Sequence, residues 1–328
     1  MTNKEKYDEF CKTVYVPVFS QTWWMNAVCG PENWDVWIYE KGMETVAAMP
    51  YYRQRRGKYN YITKAVLTQN NGIIFKYPDG AKAVAKQHYE EEVINAACDF
   101  IEMLGVDVYE QQYRYSFKNW MPFLWNKYIA ITRYTYVIEN TDNLNDVWDN
   151  ISSKYKGKIR KGKRNCHMEM DIDKEEFYRE HEKVFLKQDL KCPFSRELWF
   201  RLYEECKKHE SGITMGARDE EENLQSLVFL VWDENSVYQI LGGNMPQYQR
   251  QDTYSYLIWK GIELAAEKGL AYDFEGSVIK RISKSFREFG GEPRPYFRIR
   301  KVFNPEIMRE EAETVISELK DQKKECGL

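Results

Sequence analysis

The chain lacks a long hydrophobic run. Its longest clean apolar stretch beside a predicted strand is Leu227 to Trp232, far short of the roughly 20 residues a membrane-crossing helix needs. The opening residues MTNKEKYDEF mix charge and polarity without the apolar centre of a signal peptide. The expectation is a soluble, cytoplasmic protein with no membrane insertion. Histidine is scarce, with only His88, His167, His181 and His209 present, and no two share metal-ligand spacing on one helical turn. Zinc hydrolase chemistry, and a metal site in general, is not expected. Cysteine follows no pattern: Cys11, Cys29, Cys98, Cys166, Cys192, Cys206 and Cys326 are odd in number and form no C-x-x-C. That suits reduced, mostly buried thiols rather than a disulfide framework. No charge sign dominates either, with 48 Lys and Arg against 51 Asp and Glu for a net charge of −3. Global electrostatics does not draw such a chain to DNA, so any basic site is local.

What is present describes a globular protein. The 328 residues are 43% hydrophobic and 30% charged, with a mean hydropathy of −0.69, which excludes a disordered chain. At about 150 residues per domain the length predicts two domains. A chain of this size buries about three-quarters of its unfolded surface and needs no disulfide or metal to hold its core. Aromatic residues reach 15%, including 24 Tyr and 10 Trp. Most belong in the core and on sheet faces, but amphipathic rings also line small-molecule clefts.

The most informative pattern is a weak internal repeat of helix, glycine and strand. Val93, Ala97, Phe100, Ile101 and Leu104 recur at helical spacing before Gly105, and Val106–Tyr113 then alternates like a strand. Ile258, Ile262 and Ala265 form the second stripe, Gly269 ends it, and Leu270–Gly276 (LAYDFEG) is the strand. Asp252 is placed to cap this second helix. Upstream, Trp34–Tyr39 and Thr45–Tyr52 read as paired strands, matched by Gly212–Ala217, Gln225–Trp232 and Ser236–Leu241. Downstream, Phe117–Trp125 precedes a strand at Tyr134–Ile138, as Phe286–Phe289 precedes Tyr296–Val302. The predicted class is α+β, with two tandem modules of mixed, mostly antiparallel sheet. Turn and capping residues at Glu139–Asn145 place the boundary between 1–141 and 142–328, the latter ending in a charged helix from Pro305. The second module opens with helices near 144–155, 177–186 and 198–206, the last capped by Ser195.

Three features carry chemistry. Between Lys154 and Arg164 there are seven basic residues and no acid. Like charges at Lys154 and Lys158 cost helix stability, so either solvent or an anionic ligand compensates them. Arg160, Lys161 and Arg164 are the candidate phosphate contacts, and the pattern does not separate coenzyme A from RNA. A second cluster spans Lys280 to Lys301 and includes Lys280, Arg281 and Lys284. It follows YDFEGS (Tyr272–Ser277), where strand alternation sets Asp273 and Glu275 on one face. Those two acids either pair with neighbouring Lys and Arg or form a site at a strand's carboxyl end, with Glu275 as general base. The third feature is ILGGN (Ile240–Asn244), whose paired glycines predict a bulge or a close backbone approach to a ligand.

Together these residues resemble the Fem-like, twin GNAT-fold acyltransferases. The resemblance rests on a strand ending in GGN, a helix ending at Gly269, YDFEGS and FREFGGEPRPYFRIRK (Phe286–Lys301). It includes the S-Q-x-x-W element at Ser20–Trp24 and a basic helix resembling SKYKGKIRKGKRN (Ser153–Asn165). It implies two GNAT-like modules, the second holding the donor. GNAT enzymes pass an acyl group from a thioester directly to an amine, and the Fem branch uses aminoacyl-tRNA to extend peptidoglycan side peptides. The implied donor is an acyl-coenzyme A such as acetyl-coenzyme A, with aminoacyl-tRNA second. The acceptor is then a small-molecule or peptide amine. On this basis Gly242, Gly243 and Asn244 supply backbone donors to the oxyanion, Arg160, Lys161, Arg164, Lys280 and Lys284 hold donor phosphates, and Glu275 or Tyr238 takes the amine proton, with Asp273 beside it. A non-catalytic RNA- or nucleotide-binding module is the rival reading.

Overall fold

The computed structural model describes residues 1–186, 190–248, 251–277 and 279–325, with backbone alone for 317–325. Cys326 and part of the Met245–Asp252 loop lie outside the described residues. The first half runs α1 (Asn3–Cys11), α2 (Thr22–Cys29), β1 (Trp34–Lys41), β2 (Glu44–Arg56), β3 (Tyr59–Thr63), β4 (Ile74–Phe75), α3 (Ala83–Met103), β5 (Val108–Gln112), α4 (Met121–Trp125) and β6 (Ile129–Ile138). The second half continues with α5 (Leu144–Asn150), α6 (Ser153–Asn165), β7 (His167–Met170), α7 (Lys174–Leu186), α8 (Arg196–Lys208), β8 (Gly212–Arg218), β9 (Leu224–Trp232) and β10 (Ser236–Asn244). It closes with α9 (Thr253–Glu267), β11 (Ala271–Asp273), α10 (Lys280–Glu288), β12 (Glu292–Val302) and α11 (Pro305–Glu325).

Local sequence explains the main boundaries. The stripe Val93, Ala97 and Ile101 buries one face of α3, and Gly105 ends the helix with a left-handed φ of 62°. Gly269 does the same after α9 with φ 66°. Ser195 caps α8 by accepting from the Leu198 N–H at 3.2 Å. Strand β9, LQSLVFLVW, is apolar on both faces because both are covered. Leu227, Phe229 and Val231 pack with Trp199 and Phe177, and Val228 and Leu230 pack with Ile258 and Ile262 of α9.

All strands join one mixed sheet in the order β1-β2-β3-β5-β12-β6-β11-β10-β9-β8-β7, with β4 on β2. The repeat read from the sequence is a repeat of topology. Antiparallel β1-β2-β3 is followed by α3 and by β5 parallel to β3. Antiparallel β8-β9-β10 is followed by α9 and by β11 parallel to β10. The closing strands, however, are exchanged. β6 follows β5 in the chain yet pairs with β11, and β12 follows β11 yet pairs with β5. The two exchanged strands pair with each other from Glu292↔Val137 to Arg300↔Ile129. Ile299 of β12 therefore sits in the core of the first half, beside Tyr109 and Tyr128, while Tyr136 and Ile138 of β6 sit in the core of the second.

Two expected details differ. The strand predicted over 270–276 stops at Asp273, because Phe274 donates its N–H to Tyr136 at 2.9 Å and Glu275 turns left-handed. Asp252 occupies the N-cap position of α9 but makes no side-chain cap, because its own φ is 62° and its carboxylate is engaged by α6.

The exchange makes a whole-chain prediction. Ile299→Ala removes a side chain with 0% exposure and is expected to cost about 3 kcal/mol. Near- and far-ultraviolet dichroism in a urea titration should shift together, since β12 ties both halves. Segments 1–141 and 142–328 expressed apart should fold only on mixing.

Candidate functional site

The parallel pair β10/β11 opens into a gap. The strands are in register only at Ser236↔Ala271, Val237↔Tyr272 and Tyr238↔Asp273. Beyond this, β10 runs on to Asn244 against β9 alone, while the chain after β11 turns towards β6. A bulge between Gln239 and Leu241 shifts the β9/β10 register at the mouth of the gap. The Met245 N–H donates to Gln225 O at 2.8 Å. Because antiparallel pairing alternates, Leu241 and Gly243 also face β9, and the N–H groups of Gly242 and Asn244 turn towards the gap. The Oδ1 of Asn244 is buried without a partner among the described residues. A Cβ on Gly242 would lie 2.9 Å from the Tyr254 ring and hydroxyl and 3.0 Å from Leu227 O, so the site needs glycine. In the first half the equivalent gap is occupied by the chain itself. Asn71 N–H donates to Gln112 O at 2.8 Å, and Gln112 Nε2 donates to Gln69 O at 2.7 Å.

Two carboxyl groups stand where β11 ends. Asp273 is 3% exposed, and its Oδ1 accepts from Thr135 Oγ1 and, at 2.9 Å, from the Glu275 N–H. Burial pushes its pKa up to about 6, against the opposing pull of those two donors. Glu275 is half-buried with φ 58°, a conformation that costs on the order of 1 kcal/mol for a non-glycine residue. The Asp273 hydrogen bond holds it there, and so does Gly276, where a Cβ would meet Tyr134 O at 2.2 Å. Desolvation and then the Asp273 charge hold the Glu275 carboxyl well above the usual carboxylate range, opposed by Lys64 and Arg114. Lys64 is itself lowered by desolvation, against the field of Glu275. The two acids thus meet through a turn rather than along one strand face.

Other predicted residues are placed differently. Tyr238 is 1% exposed, packs on Phe19 and donates its hydroxyl to Asp233 Oδ2 at 3.0 Å. Burial and Asp233 hold its proton firmly, so it is a pillar of the Asp233 network rather than a proton acceptor. Gly243 faces Val184. In α6, the repulsion among the basic residues is offset by protein acids. Lys158 and Lys161 approach Asp252 at 3.8 and 3.1 Å, and Lys156 approaches Asp149 at 3.7 Å. Arg160 is exposed and lies over Trp148, and Arg164 is exposed. Helix α6 packs on α9, which brings this basic surface to the start of α9. In the second cluster, Arg294, Arg298, Arg300 and Lys301 are spent on Glu139, Glu292, Glu110, Glu311 and Glu102. Lys280, Arg281, Lys284 and Arg287 of α10 are exposed and join no ion pair among the described residues.

Sequence reasoning missed Lys64, Arg114 and Thr135, which come from the first half. Only Arg114 left a trace, as a lone cation in the aromatic run Tyr113–Phe117.

Residues 150–279 match the family described as acetyltransferase (GNAT) domain. That match covers the central part of the second half, from the end of α5 to the turn after β11. No curated protein matches the chain in sequence, but solved structures share the whole tandem fold. The structure titled FemX has a TM-score of 0.65 at 12% identity, covering 90% of this chain and 96% of the other. The L-PGS of Bacillus licheniformis scores 0.53 at 10% identity, with 90% of each chain covered. A tandem GNAT protein from the clavulanic acid biosynthesis pathway scores 0.52 at 9% identity, with 83% of each covered. The chain thus has the tandem GNAT fold, and no described helix is long and apolar enough to cross a membrane.

Asp273 gives the site a pH signature. Its pKa of about 6 in the folded state compares with about 3.9 when unfolded, so the folded protein binds this proton more tightly between the two values. The contribution to stability is full below about pH 4 and is lost as pH rises through about 6. Asp273→Asn keeps both acceptor contacts and removes the titration. Between pH 4 and 7 the variant should gain about 3 kcal/mol relative to wild type in urea unfolding.

Proposed function

We propose that the GNAT domain transfers an acyl group from a coenzyme A thioester to the amine of a small molecule or peptide. The observation that carries this reading is the β10/β11 gap, with two backbone N–H groups on one strand and a carboxyl of raised pKa at the end of the other. The thioester carbonyl oxygen lies against the N–H groups of Gly242 and Asn244, which stabilise the developing oxyanion. The amine nitrogen attacks the carbonyl carbon and forms the C–N bond, the C–S bond breaks, and the thiolate leaves to be protonated. The amine proton passes to the carboxylate of Glu275, whose raised pKa brings it closer to the operating pH. Asp273 positions Glu275 through its backbone N–H and raises that pKa. Arg160, Lys161 and Arg164, near the start of α9, receive donor phosphates.

An aminoacyl-tRNA donor is the second reading, supported by the exposed face of α10. Lys280, Arg281, Lys284 and Arg287 follow one another along a helix of 9 residues, a spacing suited to a nucleic acid backbone.

A panel of acyl-coenzyme A thioesters and aminoacyl-tRNAs, each assayed against amines, decides between donors. Thioester turnover without RNA supports the first. Binding of RNA that falls steeply with salt, with no acyl transfer from any donor, would replace both with a binding module. In the transferase, Glu275→Gln is expected to lower kcat by about 10²-fold with donor KM little changed. The wild-type rate should rise with pH as Glu275 loses its proton, and the variant should not follow. Replacing Arg160 and Lys161 by Ala should raise donor KM with little change in thermal midpoint, because Arg160 is exposed and the partly exposed Lys161–Asp252 pair contributes little.

A further inference from the structure

A separate cavity of about 320 Å³ opens in the first half, between the Tyr15–Ser20 segment, β4 and the chain following β5. Its size is at the lower end of small-molecule sites. Five rings line it, those of Tyr15, Phe75, Tyr77, Tyr113 and Phe117. Gly72, with φ 135°, lets the Tyr113 ring lie against the backbone, since a Cβ there would come within 2.6 Å of that ring. Two cations, Arg114 and Lys118, reach the wall, with a single acid, Glu90, which already accepts from the Tyr77 hydroxyl at 2.6 Å.

Arg114 is the unusual member. Its guanidinium lies 5.5 Å from the Tyr15 ring and 5.2 Å from the Tyr115 ring. Its Nε is buried without a partner, and its Nη2 reaches only Ser236 Oγ at 3.4 Å. No carboxylate among the described residues comes within ion-pairing distance. Asp233, Asp273 and Glu275 act on it only from beyond that distance, and Asp233 is saturated. Its two oxygens accept from the hydroxyls of Tyr15 and Tyr238 and from the N–H groups of Val18, Asn235 and Ser236, which fills the roughly four lone-pair sites a carboxylate offers. A cation of this kind, clamped between rings at the wall of an aromatic cavity, is set to receive a carboxylate.

We propose that this cavity binds a small carboxylate with a flat apolar body, the rings taking the body and Arg114 the carboxylate, with Lys118 at the mouth. The proposal is independent of the donor reading, because binding is measured with no donor present. Calorimetric titration of the full chain with 3-phenylpropanoate and with its neutral counterpart 3-phenylpropanamide tests it. The acid should bind at least about 10-fold more tightly than the amide. Arg114→Gln should erase that preference and leave amide affinity unchanged. Lys118→Glu, at an exposed position, should weaken the acid several-fold and spare the amide, so the test survives a failure of the Arg114 variant to fold. Equal affinity for the two probes, no binding of either at millimolar concentration, or an acid preference that persists in Arg114→Gln would each overturn the proposal.

Discussion

The pairing of β6 with β12 is the contact on which the rest of the molecule depends. It runs from Glu292↔Val137 to Arg300↔Ile129 and is formed by strands that each belong, by chain order, to the other's neighbour. Antiparallel pairing holds register strictly wherever a face is buried, because a slip by one residue turns every side chain to the opposite face. Here a slip would take Ile299 out of one core and Tyr136 and Ile138 out of the other. Two GNAT-like units are thereby locked into one sheet, and the chemistry of one half is open to groups from the other.

The candidate site follows from that lock. Asp273 pairs with Val137 of β6 and accepts from Thr135 of the same strand. Glu275 feels the charges of Lys64 and Arg114, which lie beyond the ends of β3 and β5. The second half supplies the gap and the acids, and the first half supplies the donor and the cations that balance them. Burial raises both carboxyls, and the cations restrain the rise. The opposing effects suit a group that must exchange a proton near neutrality.

The tandem arrangement also lets equivalent places diverge. The parallel strands β3 and β5 repeat the geometry of β10 and β11, but Gln69 and Asn71 hydrogen-bond across the first gap to Gln112. Nearby, the same half keeps an aromatic cavity beside Arg114. A repeated fold has in this way kept one gap open and closed the other with its own chain.

Much of this was legible in the residues alone. Helical spacing ending in Gly105 and Gly269 marked both long central helices, since only glycine enters the left-handed region at little cost. The alternation and apolar runs at 34–52 and 212–241 marked the antiparallel strands, and the paired glycines at 242 and 243 marked the mouth of the gap. Asp273 and Glu275 were also visible, as acids beside a glycine at a strand end. Tertiary structure alone decided how these parts meet. Strand exchange leaves no local trace, because β6 and β12 have the same alternation whichever edge they join. The turn at Glu275 depends on contacts with Thr135 and Tyr134, more than 130 residues away. The charge run in α6 read as an unmet need for an anion because Asp252, which meets part of it, is distant in sequence and near only in space.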